Sequence, residues 1–350
     1  MAADKTRSIR VLVVDDSAFV RRAIIRMFES SPDIRVIDVA SNGEMAVDLV
    51  KSLKPDVVTL DVKMPVLDGL SALERIMTEC PTPVIMLSSL MEKGGENTLR
   101  ALELGAVDFV DKSAAGGPMD ISVLARELTA KIRVAARVDV DKLGGGEEKG
   151  EPAPVPVVAD KRETEVVLIG TSTGGPPALQ NILTRLPGTF PCPILIVQHM
   201  PAGFTSSLAE RLNRLSALSV KEAKDNEAVM PGTAYIAPAG THLKLKRSGG
   251  QLRIVLDPLP EGTLHCPSVD VLFQSAATVC GENIVSFVLT GMGRDGACGA
   301  KAVKDGGGKV FIEAEETAIV FGMPKAVMET VDIDGQIRLD EVAGAMLHSV

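Results

Sequence analysis

Two successive α/β domains are what the sequence predicts. Three observations carry this: short β-branched runs alternate with helix-length amphipathic stretches in both halves, a Gly- and Pro-rich segment separates the halves, and 350 residues are more than one core usually organises. The first domain reads as a doubly wound, five-stranded parallel sheet. The second reads as a mostly parallel sheet with an antiparallel hairpin.

In chain order, apolar runs at 9–14, 34–39, 57–60, 84–87 and 107–110 give the first domain its five strands, with a helix expected over 17–29. This domain is expected to span 1–138. Residues 139–165 break the pattern with Gly144-Gly145-Gly146 and with Pro152, Pro154 and Pro156 at alternate positions, a linker that is flexible first and stiffer later. The second domain, 166–350, resumes with strands at 166–169, 194–197, around Val220 and at 235–236. A hairpin follows, pairing 242–245 with 252–255 across Gly249-Gly250, then a helix over 269–279 and strands at 284–289 and 310–312.

Composition removes several function classes. A net charge of -9 argues against nucleic acid as a partner, because phosphate backbones call for clustered Lys and Arg. The five cysteines are scattered and form no C-x-x-C pair, which argues against a thiolate metal site and a disulfide framework. Residues 1–10 lack the apolar core of a signal peptide, and no later run supplies the ~18 apolar residues of a membrane span. A cytoplasmic monomer without membrane insertion is expected. Aromatic residues make up only 3% of the chain, so Val, Leu, Ile, Ala and Met must fill the cores.

In open α/β sheets, function collects beyond the carboxyl ends of the strands. In the first domain those ends carry Asp15 and Asp16, Asp61, Ser88 and Lys112. Three clustered carboxylates repel one another unless a hard cation joins them, so Asp15, Asp16 and Asp61 are candidate ligands of Mg²⁺. Asp61 can then accept a phosphoryl group as nucleophile, with Lys112 balancing charge and Ser88 offering its hydroxyl. Taken singly, Asp15 and Asp16 read better as helix caps and 61–69 as a simple turn, and it is their joint placement at the strand ends that speaks against this.

In the second domain, Ser172 sits in Gly170-Thr171-Ser172-Thr173-Gly174-Gly175, between a strand and the helix start Pro176-Pro177. Such a frame lifts a hydroxyl above the sheet edge and points free N–H groups at it, although a glycine-rich loop can equally turn the chain or cradle a phosphate. His199 follows the next strand, and Asp295 lies in the glycine-rich loop after the strand at 284–289, supplying a candidate base and orienting acid. The order Ser, His, Asp differs from that of α/β-hydrolases. Cys266, which lacks a glycine frame, is a weaker nucleophile candidate.

Val13-Val14-Asp15-Asp16-Ser17, Asp61-Val62-Lys63-Met64-Pro65 and Phe109-Val110-Asp111-Lys112 resemble the receiver domain of two-component response regulators, a flavodoxin-like fold. That resemblance implies phosphorylation of Asp61, Mg²⁺ as its cofactor, and a switch formed by Ser88 and Phe109. Ser113 stands where the family usually has Pro. The glycine-framed serine, Gln198-His199-Met200-Pro201, Pro267-Ser268-Val269-Asp270 and 289–296 resemble the catalytic domain of the CheB-type chemotaxis protein-glutamate methylesterases. The implied activity is hydrolysis of glutamate γ-methyl esters on chemoreceptor helices, releasing methanol without a cofactor, and some members also deamidate receptor glutamines. Ser172, His199 and Asp295 then form the triad, and the N–H groups of Thr173 and Met292 the oxyanion hole. A chemotaxis histidine kinase is the implied phosphodonor. Cys266 replaces a common Arg, and Glu313-Ala314 a frequent Gln-Asp.

The linker and the resemblance together suggest that the unmodified receiver covers the esterase site until Asp61 is phosphorylated. Two rivals stand beside this reading: a receiver-controlled esterase or amidase of another sensory array, and a phosphorylation-dependent binding protein with a vestigial triad.

Overall fold

The computed structural model describes residues 8–88, 94–112, 120–143, 164–260 and 262–350. They fall into two compact units, Met1–Glu147 and Glu148–Val350.

The first unit runs β1 (Ile9–Val14), α1 (Ala18–Phe28), β2 (Ile34–Ala40), α2 (Gly43–Leu53), β3 (Val57–Asp61), α3 (Gly69–Glu79), β4 (Val84–Ser88), α4 (Gly94–Glu103), β5 (Asp108–Asp111) and α5 (Asp120–Ala135). Its five strands lie in the order β2-β1-β3-β4-β5, all parallel. Strands β3 and β4 are buried along their whole length, which is why they read as unbroken apolar runs. Ser17, Asn42 and Asp68 cap α1, α2 and α3, accepting the N–H groups of Val20, Met45 and Ser71. The strand order reverses between β1 and β3, and the crevice at their carboxyl ends is where such sheets place their sites.

Residues expected at the head of the linker pack with this unit instead. Val140–Lys142 form a 3-10 turn and Leu143 is buried, its carbonyl beside Gly105. Residues 144–163 of the expected linker, and Ser113, lie outside the described residues.

The second unit runs β6 (Val166–Thr171), α6 (Gly175–Leu183), β7 (Ile194–Gln198), α7 (Phe204–Leu215), β8 (Ser219–Glu222), β9 (Thr233–Ile236), β10 (His242–Ser248), β11 (Gln251–Asp257), α8 (Val269–Cys280), β12 (Ile284–Val288), α9 (Ala297–Asp305), β13 (Lys309–Glu313), α10 (Met323–Met328), β14 (Gly335–Ile337) and α11 (Val342–His348). Seven strands form one parallel sheet in the order β14-β13-β12-β6-β7-β9-β8. The expected hairpin is present as a separate two-stranded sheet, β10-β11, tied to α8 by the Leu245 N–H donating to Ser275 Oγ at 3.1 Å. The chain enters this sheet at β6, moves outward through β7 and returns to β12 on the other side. The switch point therefore lies between β6 and β12.

Aliphatic side chains such as Leu168, Val197, Ala300 and Val310, with Phe273, fill the core between this sheet and its covering elements. Among the described residues, no helix is long and apolar enough to cross a membrane.

Close packing of α8 on α9 depends on Gly299. A Cβ there would lie 2.6 Å from Phe273 Cβ and 2.9 Å from Asp270 Cα. Gly299→Ala is expected to cost the second unit about 1–3 kcal/mol, because the helices must separate. An unshifted urea midpoint for that unit would show that the crossing has slack.

Candidate active site

Parallel pairing sets the geometry of the second unit's site before any side chain is considered. Thr171 of β6 pairs with Gln198 of β7, and Gly170 pairs with Val288 of β12, so the residues that follow all three strands emerge side by side. Ser172 comes off β6, His199 off β7, and the loop 289–296 off β12. Two backbone bonds hold them: His199 N–H donates to Thr171 O at 3.1 Å, and Ser172 N–H to Thr290 O at 3.0 Å. The Gln198 side chain adds a brace, its Nε2 donating to the carbonyls of both Ser172 and His199 at 3.0 Å.

Glycine is needed where this loop meets the serine. A Cβ on Gly291 would reach 2.9 Å from Ser172 Cβ and 2.3 Å from Met323 Sδ. Gly174, at φ 80°, caps α6, and a Cβ there would meet Ile319 and Thr290 Oγ1. The loop is anchored from below by Glu313, a fully buried residue whose carboxyl accepts the Thr290 N–H at 2.8 Å. Thr173 therefore opens the turn into α6, and Met292 follows the glycine that backs onto Ser172.

His199 and Asp295 meet directly. Nε2 of His199 lies 2.8 Å from Asp295 Oδ2, with both side chains about nine-tenths buried. The other ring nitrogen, Nδ1, is buried without a hydrogen-bond partner among the described residues. The imidazole of His265 stacks on His199, with centroids 4.0 Å apart and planes inclined by 17°.

Asp295 is held from its far side by the start of α8. Ser268 Oγ donates to Oδ1 at 2.8 Å, Val269 N–H to Oδ2 at 2.7 Å and Asp270 N–H to Oδ1 at 3.0 Å. Burial alone would raise the Asp295 carboxyl. The His199 ring and these N–H donors more than reverse that and hold it far below the usual carboxylate range. Cys266 is a poor rival nucleophile, since burial pushes its thiol up and disfavours the thiolate.

Ser172, His199 and Asp295 were thus legible as strand-end residues, whereas Gln198, Ser268 and His265 were not singled out. Their contribution lies in what they touch. Only the Pro-Ser-Val-Asp run before a helix, which places a capping serine beside free N–H groups, signalled part of it.

In the first unit the expected residues also converge. Ligand atoms of Asp15, Asp16 and Asp61 all lie within 4.8 Å of one another. Lys112 Nζ reaches Asp15 Oδ2 at 3.0 Å and Asp61 Oδ1 at 2.7 Å. Burial, with the Asp15 charge adding to it, raises the Asp61 carboxyl despite Lys112. Burial would lower the Lys112 ammonium, but the two carboxylates reverse this and keep it protonated. Ser88 is buried and receives a hydrogen bond from Thr98 Oγ1 at 2.8 Å. Phe109 is buried too, with the Lys131 ammonium 5.3 Å from its ring centroid.

Comparison with known proteins agrees with this geometry. Residues 167–346 match the CheB methylesterase family and residues 11–120 the response regulator receiver domain. A protein-glutamate methylesterase/protein-glutamine glutaminase of Geobacillus kaustophilus is 44% identical over 98% of this chain and 99% of its own. One of the same name from Archaeoglobus fulgidus is 47% identical over 96% of each. The crystal structure of the Thermotoga maritima CheB methylesterase catalytic domain superposes over 54% of this chain and 100% of its own, with 44% identity and a TM-score of 0.53. With a receiver domain ahead of an esterase domain, and relatives alike over nearly its full length, this chain belongs to the CheB methylesterase family.

Proposed function

We propose that this protein is a phosphorylation-activated protein-glutamate methylesterase that removes methyl groups from glutamate γ-methyl esters of chemoreceptors. The observation that carries the reading is the convergence of Ser172, His199 and Asp295 at three adjacent strand ends, with Asp295 on one nitrogen of His199 and the other left open.

That arrangement assigns the tautomer. Nε2 carries the proton that Asp295 accepts, so Nδ1 holds the lone pair and serves as the base. Ser172 Oγ attacks the ester carbonyl as its proton passes to Nδ1, and the N–H groups of Thr173 and Met292 stabilise the oxyanion. The tetrahedral species collapses as the imidazolium protonates the methoxy oxygen, releasing methanol and leaving a glutamyl ester on Ser172. Water, deprotonated by His199, attacks that ester; its collapse frees the glutamate carboxylate and restores the serine. A glutamine side chain would follow the same steps with ammonia as leaving group, as the glutaminase in the relatives' names requires.

Asp61 is the proposed phosphoryl acceptor, taking the group from a chemotaxis histidine kinase. Mg²⁺ suits the oxygen-only cluster of Asp15, Asp16 and Asp61, and when bound it would neutralise charge there. Lys112 balances the added charge, while Ser88 and Phe109 report it to the rest of the receiver. Esterase activity rises as a result.

Methanol release from methylated receptor membranes tests both sites. Ser172→Ala is expected to lower kcat by at least about a thousandfold, and Asp61→Ala to keep basal activity but not respond to a phosphoryl donor. Wild-type release from Ser172→Ala would remove the catalytic assignment, and activation of Asp61→Ala would remove the switch.

Asp295→Asn should cut kcat by roughly three to four orders of magnitude, by stabilising the wrong tautomer. Its stability should also change in acid. The Asp295 carboxyl is held below its ordinary value of 3.8, so the unfolded chain takes up the proton first. The stabilisation is complete above that value and is lost progressively as the pH falls from it toward the lower folded-state value. Melting of the second unit should accordingly fall less steeply below about pH 4 in Asp295→Asn than in wild type. Parallel curves would show that the carboxylate contributes nothing to folding.

A further inference from the structure

His242 takes no part in the chemistry above, yet it is fully buried at the start of β10 and bonded on both edges of its ring. Nδ1 accepts the Ser268 N–H at 3.1 Å. The ring proton therefore sits on Nε2, which faces the Pro260 carbonyl and lies 3.3 Å from Thr263 Oγ1. These partners all come from the segment that joins β11 to α8. That segment delivers two things to the site: the His265 ring stacked on His199, and the Ser268–Asp270 turn that grips Asp295.

We propose that His242 is a positioning residue for the esterase reaction: a neutral imidazole post that pins the segment between β11 and α8, and through Ser268 fixes Asp295 against His199. The inference rests on the triad reading above. Its geometry is a relay of four residues joined by three hydrogen bonds, from His242 Nδ1 through the Ser268 backbone and hydroxyl to the Asp295 carboxylate and on to His199 Nε2. An apolar residue would fill the space and leave the Ser268 N–H buried without an acceptor. Such a loss is relieved only by moving the turn. A charged imidazole would be equally unsuitable, since Nδ1–H would oppose the Ser268 N–H.

The surroundings keep the ring neutral. Burial, reinforced by the Lys244 ammonium, lowers its proton affinity from the ordinary histidine value, against the opposing pull of the Pro260 carbonyl, Asp295 and Asp257. A second brace, the Gly240 N–H donating to Cys266 O at 3.0 Å, ties the same segment to the turn preceding β10. The carboxylate is thus located by a residue that touches neither it nor the substrate.

The test uses full-length protein, methylated receptor membranes and a phosphoryl donor, comparing wild type, His242→Leu, His242→Asn and Ser172→Ala well below each melting midpoint. His242→Leu is expected to lose about tenfold to a hundredfold in kcat with KM for the membranes changed less than about threefold, because misplacing Asp295 affects the transition state and not substrate docking. Asn can put Oδ1 where Nδ1 accepts, and should recover kcat to within about fivefold of wild type. Should His242→Leu fail to fold, His242→Gln, whose amide reaches the Pro260 side and leaves Ser268 unpaired, carries the same expectation. Wild-type kcat in the folded Leu or Gln variant, or equal losses in it and in Asn, would overturn the proposal. Activity in Ser172→Ala would instead bring down the triad reading, so the two failures are told apart.

Discussion

Two aspartates are exchanged between two helix starts, and the esterase site depends on that exchange. Asp295, just before α9, is held by N–H groups at the start of α8. Asp270, in the first turn of α8, is held in return by the N–H groups of Gly296 at 3.0 Å and Gly299 at 2.6 Å at the start of α9. Burial raises the Asp270 carboxyl, and the nearby Asp295 charge raises it further. Each carboxylate is offset by the positive end of the opposite helix and by donors that no helix bond would otherwise use. Neither helix start could lie so close without the other's carboxylate. Val269 wedges between them, and a Cβ on Gly170 or Gly296 would strike its side chain at 2.4 or 3.0 Å.

The same sheet geometry is used twice with opposite electrostatics. Both units place their candidate site where the strand order reverses, because only there do neighbouring connections leave in opposite directions and open a crevice. The first crevice gathers acid and leaves Asp16 exposed, so its charge is balanced by Lys112 and is open to a cation. The second buries almost everything: Gln198, Asp295 and the His199 ring are shielded from water, with the Gln198 amide donating to backbone carbonyls, Asp295 accepting backbone N–H groups, and His199 Nδ1 left without a partner among the described residues. Acceptance of a phosphoryl group needs charge that a small ion can reach. Acyl transfer needs a preorganised, poorly hydrated donor set.

Much of this could be read in the sequence, for an identifiable reason. Strands buried on both faces appear as unbroken apolar runs, so β3, β4, β6, β7 and β12 were legible, and with them the residues at their ends. Strand β14 is three residues beginning with Gly335, and α10 and α11 are short, so periodicity had too few positions to register. The supports of the site were hidden differently. His242 meets Ser268 across 26 positions and Gly299 meets Asp270 across 29, pairings set by how β10 and α9 lie against α8. No local pattern records such a contact. Glu313 stood out as a departure from its family, and the carboxyl that replaces an amide there still accepts the Thr290 N–H.

Where the supporting bonds originate identifies the part of the chain that builds the esterase site. Gln198, Thr290, Ser268, Val269, Asp270 and His242, which locate the serine, the imidazole and the carboxylate, all belong to the second unit. The His199–Asp295 pair, closed at 2.8 Å, lies in the same unit. Each of these bonds is made within the esterase unit, so the placing of the serine, the imidazole and the carboxylate follows from that unit's own strand ends and helix starts.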